Sequence, residues 1–300
     1  MIFFILFSLI TSAVPDHLAQ GFNSGLNSNN CPLTLFYYGR LKKTGYKFTE
    51  KNISFVTSCI KTVFPVQFRP PQKKSGSLSF FTMFKGYRIS KDYFATIPSG
   101  YYHLGYIPNL RRLAKKLASS AGTTISQKDF IFSRWEKLDS FLIMTREVSI
   151  KEYKSGKLGI SGKSVSGITY TAARNFCKKL GGDLPDELQF ETAARGGEYY
   201  RPWSWGESIP TDCFGKMTGC TSKEKIDVSI WGVWNLSSSL SEWVKPTASR
   251  GVPSGKVIFK GGTTKSHWFY NLVANRYLAL SDHTSRDIGF RCVFPVVSKP

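Results

Sequence analysis

Residues 165–197 read VSGITYTAARNFCKKLGGDLPDELQFETAARGG, and this stretch decides the fold. Thr171 stands before a run that places Ala172, Ala173, Phe176, Cys177 and Leu180 on one apolar face, which predicts an amphipathic helix. Gly181-Gly182 supplies its C-terminal stop. Asp186, directly after Pro185, suits the N-cap of a second helix that Gly196-Gly197 ends. Working outward, Ser149 and Glu152 form a capping-box pattern and predict another helix start. Residues 109–119 (NLRRLAKKLAS) are basic and helix-like, with Leu110, Leu113 and Leu117 on one stripe. Downstream of 197 there is almost no helical periodicity. That sequence is aromatic-rich and turn-rich, which implies a core held by ordered loops.

Toward the N-terminus the pattern changes. Residues 1–13 (MIFFILFSLITSA) are apolar from Ile2 to Ile10 and end in small residues. That run is short for a bilayer span and fits the apolar core of a signal peptide over residues 1–19, with cleavage after Ala13 or Ala19. An uncleaved anchor or a buried N-terminal strand is the competing reading. No Cys follows the apolar run, which argues against a lipoprotein. Residues 14–30 are small and polar and read as a flexible lead-in. From Cys31 to Phe94 come LTLFYY, ISFVTSCI, TVFPVQF and SLSFFTMF, which read as short strands. Residues 20–94 are therefore expected to be a small β-rich N-terminal region, with Cys31 and Cys59 as the pair that would pin it.

Six cysteines behind an export signal point first to disulfides. Cys-x-x-Cys spacing is absent and the four histidines are scattered, which disfavours a zinc site. Cys213 and Cys220 flank the short loop FGKMTG and are expected to pair locally. The net charge of +21 points to anionic partners. For an exported chain these are cell-surface polymers, envelope proteins or, peripherally, lipid head groups, whereas nucleic acid lies in the wrong compartment. A lysine-rich solvated surface with no dedicated partner is the bland alternative.

Six ordered blocks carry a resemblance. They are IPSGYYHLGYI (97–107), RWEKLDSFLIMTREVSIKEY (134–153), the opening stretch at 165–197, PWSWGE (202–207), WGVWNLSSSLSEWV (231–244) with IFKGGT (258–263), and ANRY (274–277) with IGFRCVF (288–294). In order and spacing they resemble the sulfatase-modifying-factor, or formylglycine-generating enzyme, domain. The resemblance implies an α+β fold over residues 95–300, a variant of the C-type-lectin fold with two helices, little regular sheet and much ordered coil. It implies a disulfide between Cys177 and Cys292. It also implies a calcium loop at Asn235, Ser238, Leu240 and Glu242, oxygen donors that suit a hard cation. The family's glycine is replaced there by Ser238, which would be strained if that position needs φ > 0. A capped turn without metal is the other reading of that loop.

The resemblance breaks at the chemistry. The family's oxidase binds copper through two cysteines after the late Gly-Gly, and those positions hold Ser266 and Asn271 here. Neither is a soft ligand for Cu(I), so no copper is expected. The histidine triad of the related iron oxidases has no counterpart, so no iron is expected either. Ser266, His267, Asp282 and His283 could be imagined as a hydrolase constellation, but no nucleophile elbow accompanies them. Lys265, Ser266, His267, Trp268, Phe269, Tyr270, Asn271 and Arg276 are the candidates for a ligand pocket, an aromatic patch that could equally fill a core. The leading expectation is an exported pseudoenzyme, periplasmic, outer-surface or secreted, that binds or supports rather than catalyses. The alternative is an enzyme of the same family with altered, copper-free chemistry.

Overall fold

The computed structural model describes residues 16–27, 34, 38, 41, 46–63, 81–84, 87–125, 133–195, 201–207, 209, 227–247 and 252–296. The chain divides into two units, Met1–Phe68 and Arg69–Pro300. Among the described residues no helix is long and apolar enough to cross a membrane.

The first unit holds two helices among its described residues, which corrects the expectation of a strand at ISFVTSCI and of a flexible lead-in. Helix α1 spans Asp16–Asn27 and α2 spans Glu50–Val63, so ISFVTSCI lies inside a helix. The physical reason is the local start signal. Thr49 Oγ1 accepts from the Asn52 amide at 3.2 Å while Asn52 Oδ1 accepts from the Thr49 amide at 3.1 Å, a reciprocal cap. Val56 and Cys59, about one turn apart, are then both buried. Phe22 of α1 clusters with Leu41 and Val56, and Phe22 stacks edge-on to Phe48 at 5.3 Å. Cys59 is disulfide-bonded, while Cys31, its expected partner, lies outside the described residues. Residues 1–15 of the expected signal segment lie outside them too, as do Cys213 and Cys220.

In the second unit the run SLSFFTMF does end in a strand: β1 (Phe81–Phe84) pairs antiparallel with β2 (Tyr87–Ser90). Next come β3 (Phe94–Ile97), β4 (Gly100–Leu104), α3 (Pro108–Ser120), β5 (Arg134–Leu138), β6 (Phe141–Met144), α4 (Ile150–Ser155), α5 (Tyr170–Lys179) and α6 (Glu187–Arg195). The remaining strands are short: β7 (Ser238–Ser239), β8 (Ser241–Val244), β9 (Lys256–Lys260), β10 (Gly262–Thr263), β11 (Tyr277–Leu280), β12 (Ile288–Gly289) and β13 (Val293–Pro295). Central β6 pairs antiparallel with both β3 and β13, which brings the start and end of the domain together. A second sheet has the order β11-β9-β8-β12, and β10 lies parallel to β7.

The helix starts follow the sequence closely. Ser149 and Glu152 make the predicted capping box at α4. Helix α5 begins two residues earlier than Thr171 suggested, because Thr169 is the cap and its Oγ1 accepts from the Ala172 amide at 3.2 Å. Asp186 and Gln189 cap α6 reciprocally, with Gln189 N to Asp186 Oδ1 at 2.8 Å. Gly182 is required for packing as well as for the turn, since a Cβ there would lie 2.3 Å from the Val293 carbonyl. That close approach lets the α5–α6 turn bridge to β13 through Asp183 and Val293.

Three clusters fill this unit. One surrounds the Cys177–Cys292 disulfide with Trp243, Phe290 and Phe294. A second joins β3, β6 and α6 through Ile97, Ile143 and Phe190. The third packs Leu110, Ala114 and Leu117 of α3 against Trp203, Trp268 and Phe269. The bridge that the resemblance implied between Cys177 and Cys292 is present.

Candidate functional site

The loop from Gly261 to Arg276 holds the sequence candidates, and its backbone is built by side chains that turn inward. Gly262 is needed where it stands, because a Cβ would come within 2.7 Å of Asn271 Nδ2 and 2.8 Å of the Tyr270 carbonyl. Through that gap Asn271 Nδ2 donates to the carbonyls of Ser237 at 2.6 Å and Thr263 at 3.1 Å. Asn271 is fully buried and ties the loop to β7 and β10. Ser266 closes a turn: its Oγ accepts from the Thr263 amide at 2.9 Å and lies 3.0 Å from Thr263 Oγ1. Both residues are therefore parts of the loop's own hydrogen-bond framework.

Trp268 and Phe269 were candidates for a pocket wall, and the structure places them in the third core cluster, 1% and 4% exposed. Trp203 packs edge-on to Trp268 at 5.7 Å and donates its indole N–H to the Trp268 carbonyl at 3.3 Å. Lys265 and Tyr270 remain at the surface. Arg276 is buried against Glu187, Nε to Oε2 at 3.2 Å. Beside it Lys260 donates from Nζ to the Asn275 carbonyl at 2.8 Å and stands 4.0 Å from Glu191. Burial pulls the Lys260 ammonium down to about 8, against the opposing pull of Glu191.

His267 illustrates what the loop can do chemically. Its Nδ1 accepts from the Phe269 amide at 3.1 Å, so the ring proton belongs on Nε2, which lies 3.2 Å from Ser120 Oγ. The imidazole thus donates toward that hydroxyl, the reverse of what a general base acting on it requires.

The predicted calcium loop closes around an arginine. Glu242 accepts from Arg291 at 2.6 and 2.8 Å, in a fully buried, two-point ion pair. Burial pushes the Glu242 carboxyl up, Arg291 opposes this, and nearby Glu147 and Asp227 push it further. Asp227 accepts from the Ser237 and Ser238 amides at 2.9 and 2.7 Å and from Ser238 Oγ at 2.9 Å. Asn235 Nδ2 donates to Glu147 at 3.2 Å. The positive φ of this loop falls at Asn235 (φ 64), so the strain expected at Ser238 does not arise. Asn235, Ser238 and Glu242, three of the four residues of the expected calcium loop, thus hydrogen-bond to Glu147, Asp227 and Arg291. Among the described residues no group of three or more His, Cys, Asp or Glu side chains is placed to hold a metal ion.

A cavity of about 460 Å³, which no pattern in the sequence marks, is lined by Asp92, Tyr93, Arg146, Glu147, Glu152 and Asn235, among others. Its residues come from the segment before β3, the segment between β6 and α4, the α4 cap, the loop after α4 and the loop before β7. Glu152 is satisfied there by Tyr93 Oη at 2.6 Å and by the amides of Gly159 and Ile160. In sequence Glu147 and Glu152 signal only a helix start, so nothing in the pattern marks them as cavity walls.

Comparison with known proteins agrees with this architecture. Treponema denticola variable protein 1 superposes with a TM-score of 0.50 at 14% identity, covering 71% of this chain and 98% of that one. PvdO from Pseudomonas aeruginosa superposes with a TM-score of 0.49 at 16% identity, over 67% and 93% of the two chains. A curated relative, serine/threonine-protein kinase Pkn1 of Chlamydia trachomatis serovar L2, is 26% identical over 159 residues, 46% of this chain. The match spans about a quarter (26%) of that protein's length. Residues 161–296 match the model of the sulfatase-modifying factor enzyme 1-like domain. The Cys177–Cys292 bridge, the paired caps of α5 and α6 and the Gly261-Gly262 loop all lie within that matched span.

Proposed function

We propose that this chain is a non-catalytic binding or structural module of the bacterial cell envelope, built on the sulfatase-modifying-factor scaffold. One observation carries the reading. At the two positions that the resemblance aligns with the oxidase's cysteines stand a turn-closing Ser266 and a buried Asn271 whose carboxamide donates to two backbone carbonyls. A hydroxyl and an amide are poor Cu(I) ligands, and freeing Asn271 for another role would leave buried carbonyls without their donor. Export is supported by the apolar run Ile2–Ile10 and by a buried disulfide, the kind of bond that persists in oxidising compartments. The charge of +21 supports an anionic envelope partner. A Cu(I) titration against a chromophoric chelator tests the reading at its root. The protein should leave all the copper with the chelator, and stoichiometric retention would overturn the non-catalytic assignment.

A further inference from the structure

Helix α3, Pro108–Ser120, carries an unusual charge arrangement. Arg111, Arg112, Lys115 and Lys116 are all exposed, and the helix contains no acidic residue. Arg111 with Lys115, and Arg112 with Lys116, are like-charged pairs four residues apart, an arrangement that weakens an isolated helix. The helix dipole does not explain them, because it favours cations in the last turn and there are none there. Among the described residues, Arg112, Lys115 and Lys116 face no carboxylate partner. The opposite face is already committed: Leu110, Ala114, Leu117 and Ala118 are buried against the tryptophan cluster.

We propose that this face of α3 is the docking surface for a linear polyanion, a phosphate- or sulfate-bearing polysaccharide-type polymer. This deepens the binding-module reading and rests on it. Successive cations in each row lie about 6 Å apart along the axis, four residues at ~1.5 Å rise, so both rows can follow one extended anionic strand. A peripheral membrane helix would also need apolar side chains to enter the head-group layer, and those of α3 face the core. Arg112, Lys115 and Lys116 therefore act by charge alone, which predicts strongly salt-dependent binding.

The test uses the full chain, with heparin as the sulfated probe, polyphosphate as the phosphate probe and phosphatidylglycerol vesicles as the membrane probe. A helix variant, R112Q with K115Q and K116Q, is compared with a control of equal charge loss, K151Q with K154Q and K157Q, all exposed elsewhere. The helix variant should melt no lower than wild type, since like-charged pairs are removed, and lose affinity for a polymer probe by on the order of tenfold at physiological salt. The salt slope of its binding should fall by about 2, from ~0.7 per lost contact. The control should stay within about twofold of wild type. Equal losses in the two variants would overturn the placement on α3 while leaving polyanion binding intact. Vesicle binding without polymer binding would overturn the partner class. A wild-type chain that binds none of the three probes would overturn this proposal and, with it, the anionic partner of the function proposed above.

Discussion

Lys260 shows what a single residue costs in this fold and how its cost can be read. It is fully buried at the end of β9, among Glu187, Glu191, Arg195 and Arg276. Burial holds its ammonium near 8 against the 10.5 of an exposed lysine. Because the folded value is depressed, between those two values the unfolded chain holds a proton that the folded chain has released. Stability linked to this residue therefore rises with pH across that window and is flat below about 8. Urea midpoints measured from pH 7.5 to about 9.5 should climb for the wild-type chain, in a range below the tyrosines, whose hydroxyls at Tyr93 and Tyr102 burial pushes up. Lys260→Met should remove the climb. An unchanged slope in the variant would show that Lys260 is not its source. None of this was legible in IFKGGT, which in sequence is only one block of the resemblance; the packed neighbours reveal Lys260 as a core cation.

At the scale of elements, local signals decided what could be read in advance. Capping patterns at Ser149 and Asp186 are short-range chemistry, so the starts of α4 and α6 followed from sequence. The start of α5 shifted from Thr171 to Thr169 because two threonines in one segment can both cap and packing chooses between them. Helix α2 was missed for a related reason. ISFVTSCI is rich in β-branched and aromatic residues, yet the Thr49–Asn52 cap and the burial of Val56 and Cys59 override that propensity. The tie between α5 and the last strands is the Cys177–Cys292 bridge, which spans a sequence separation of 115. On the chain-entropy account a loop of that length contributes ~4–5 kcal/mol. Replacing both cysteines by alanine should lower the unfolding free energy in urea by about that amount. A loss under ~1 kcal/mol would mean that the cluster around Trp243 and Phe290 holds those elements without the bond.

For the molecule as a whole, the resemblance and the fold it implied were readable because six blocks keep their order and their caps, while the site was readable only as a list of residue types. The sequence identified Ser266 and Asn271 as poor copper ligands from their chemistry alone. It could not show that Asn271 is an internal tie, that Trp268 and Phe269 are core, or that Glu242 faces Arg291, because each depends on contacts between distant segments. Those contacts tie the Gly261–Arg276 loop and the loop around Asn235 into the hydrogen-bonded framework. The central claim is that this chain does not oxidise cysteine to formylglycine. The most direct measurement incubates the disulfide-intact protein with copper, oxygen and a cysteine-containing sulfatase-motif peptide, then follows the peptide by mass spectrometry and aldehyde-specific labelling. The account predicts unmodified cysteine at every copper concentration, and copper-stimulated aldehyde in the peptide would contradict it.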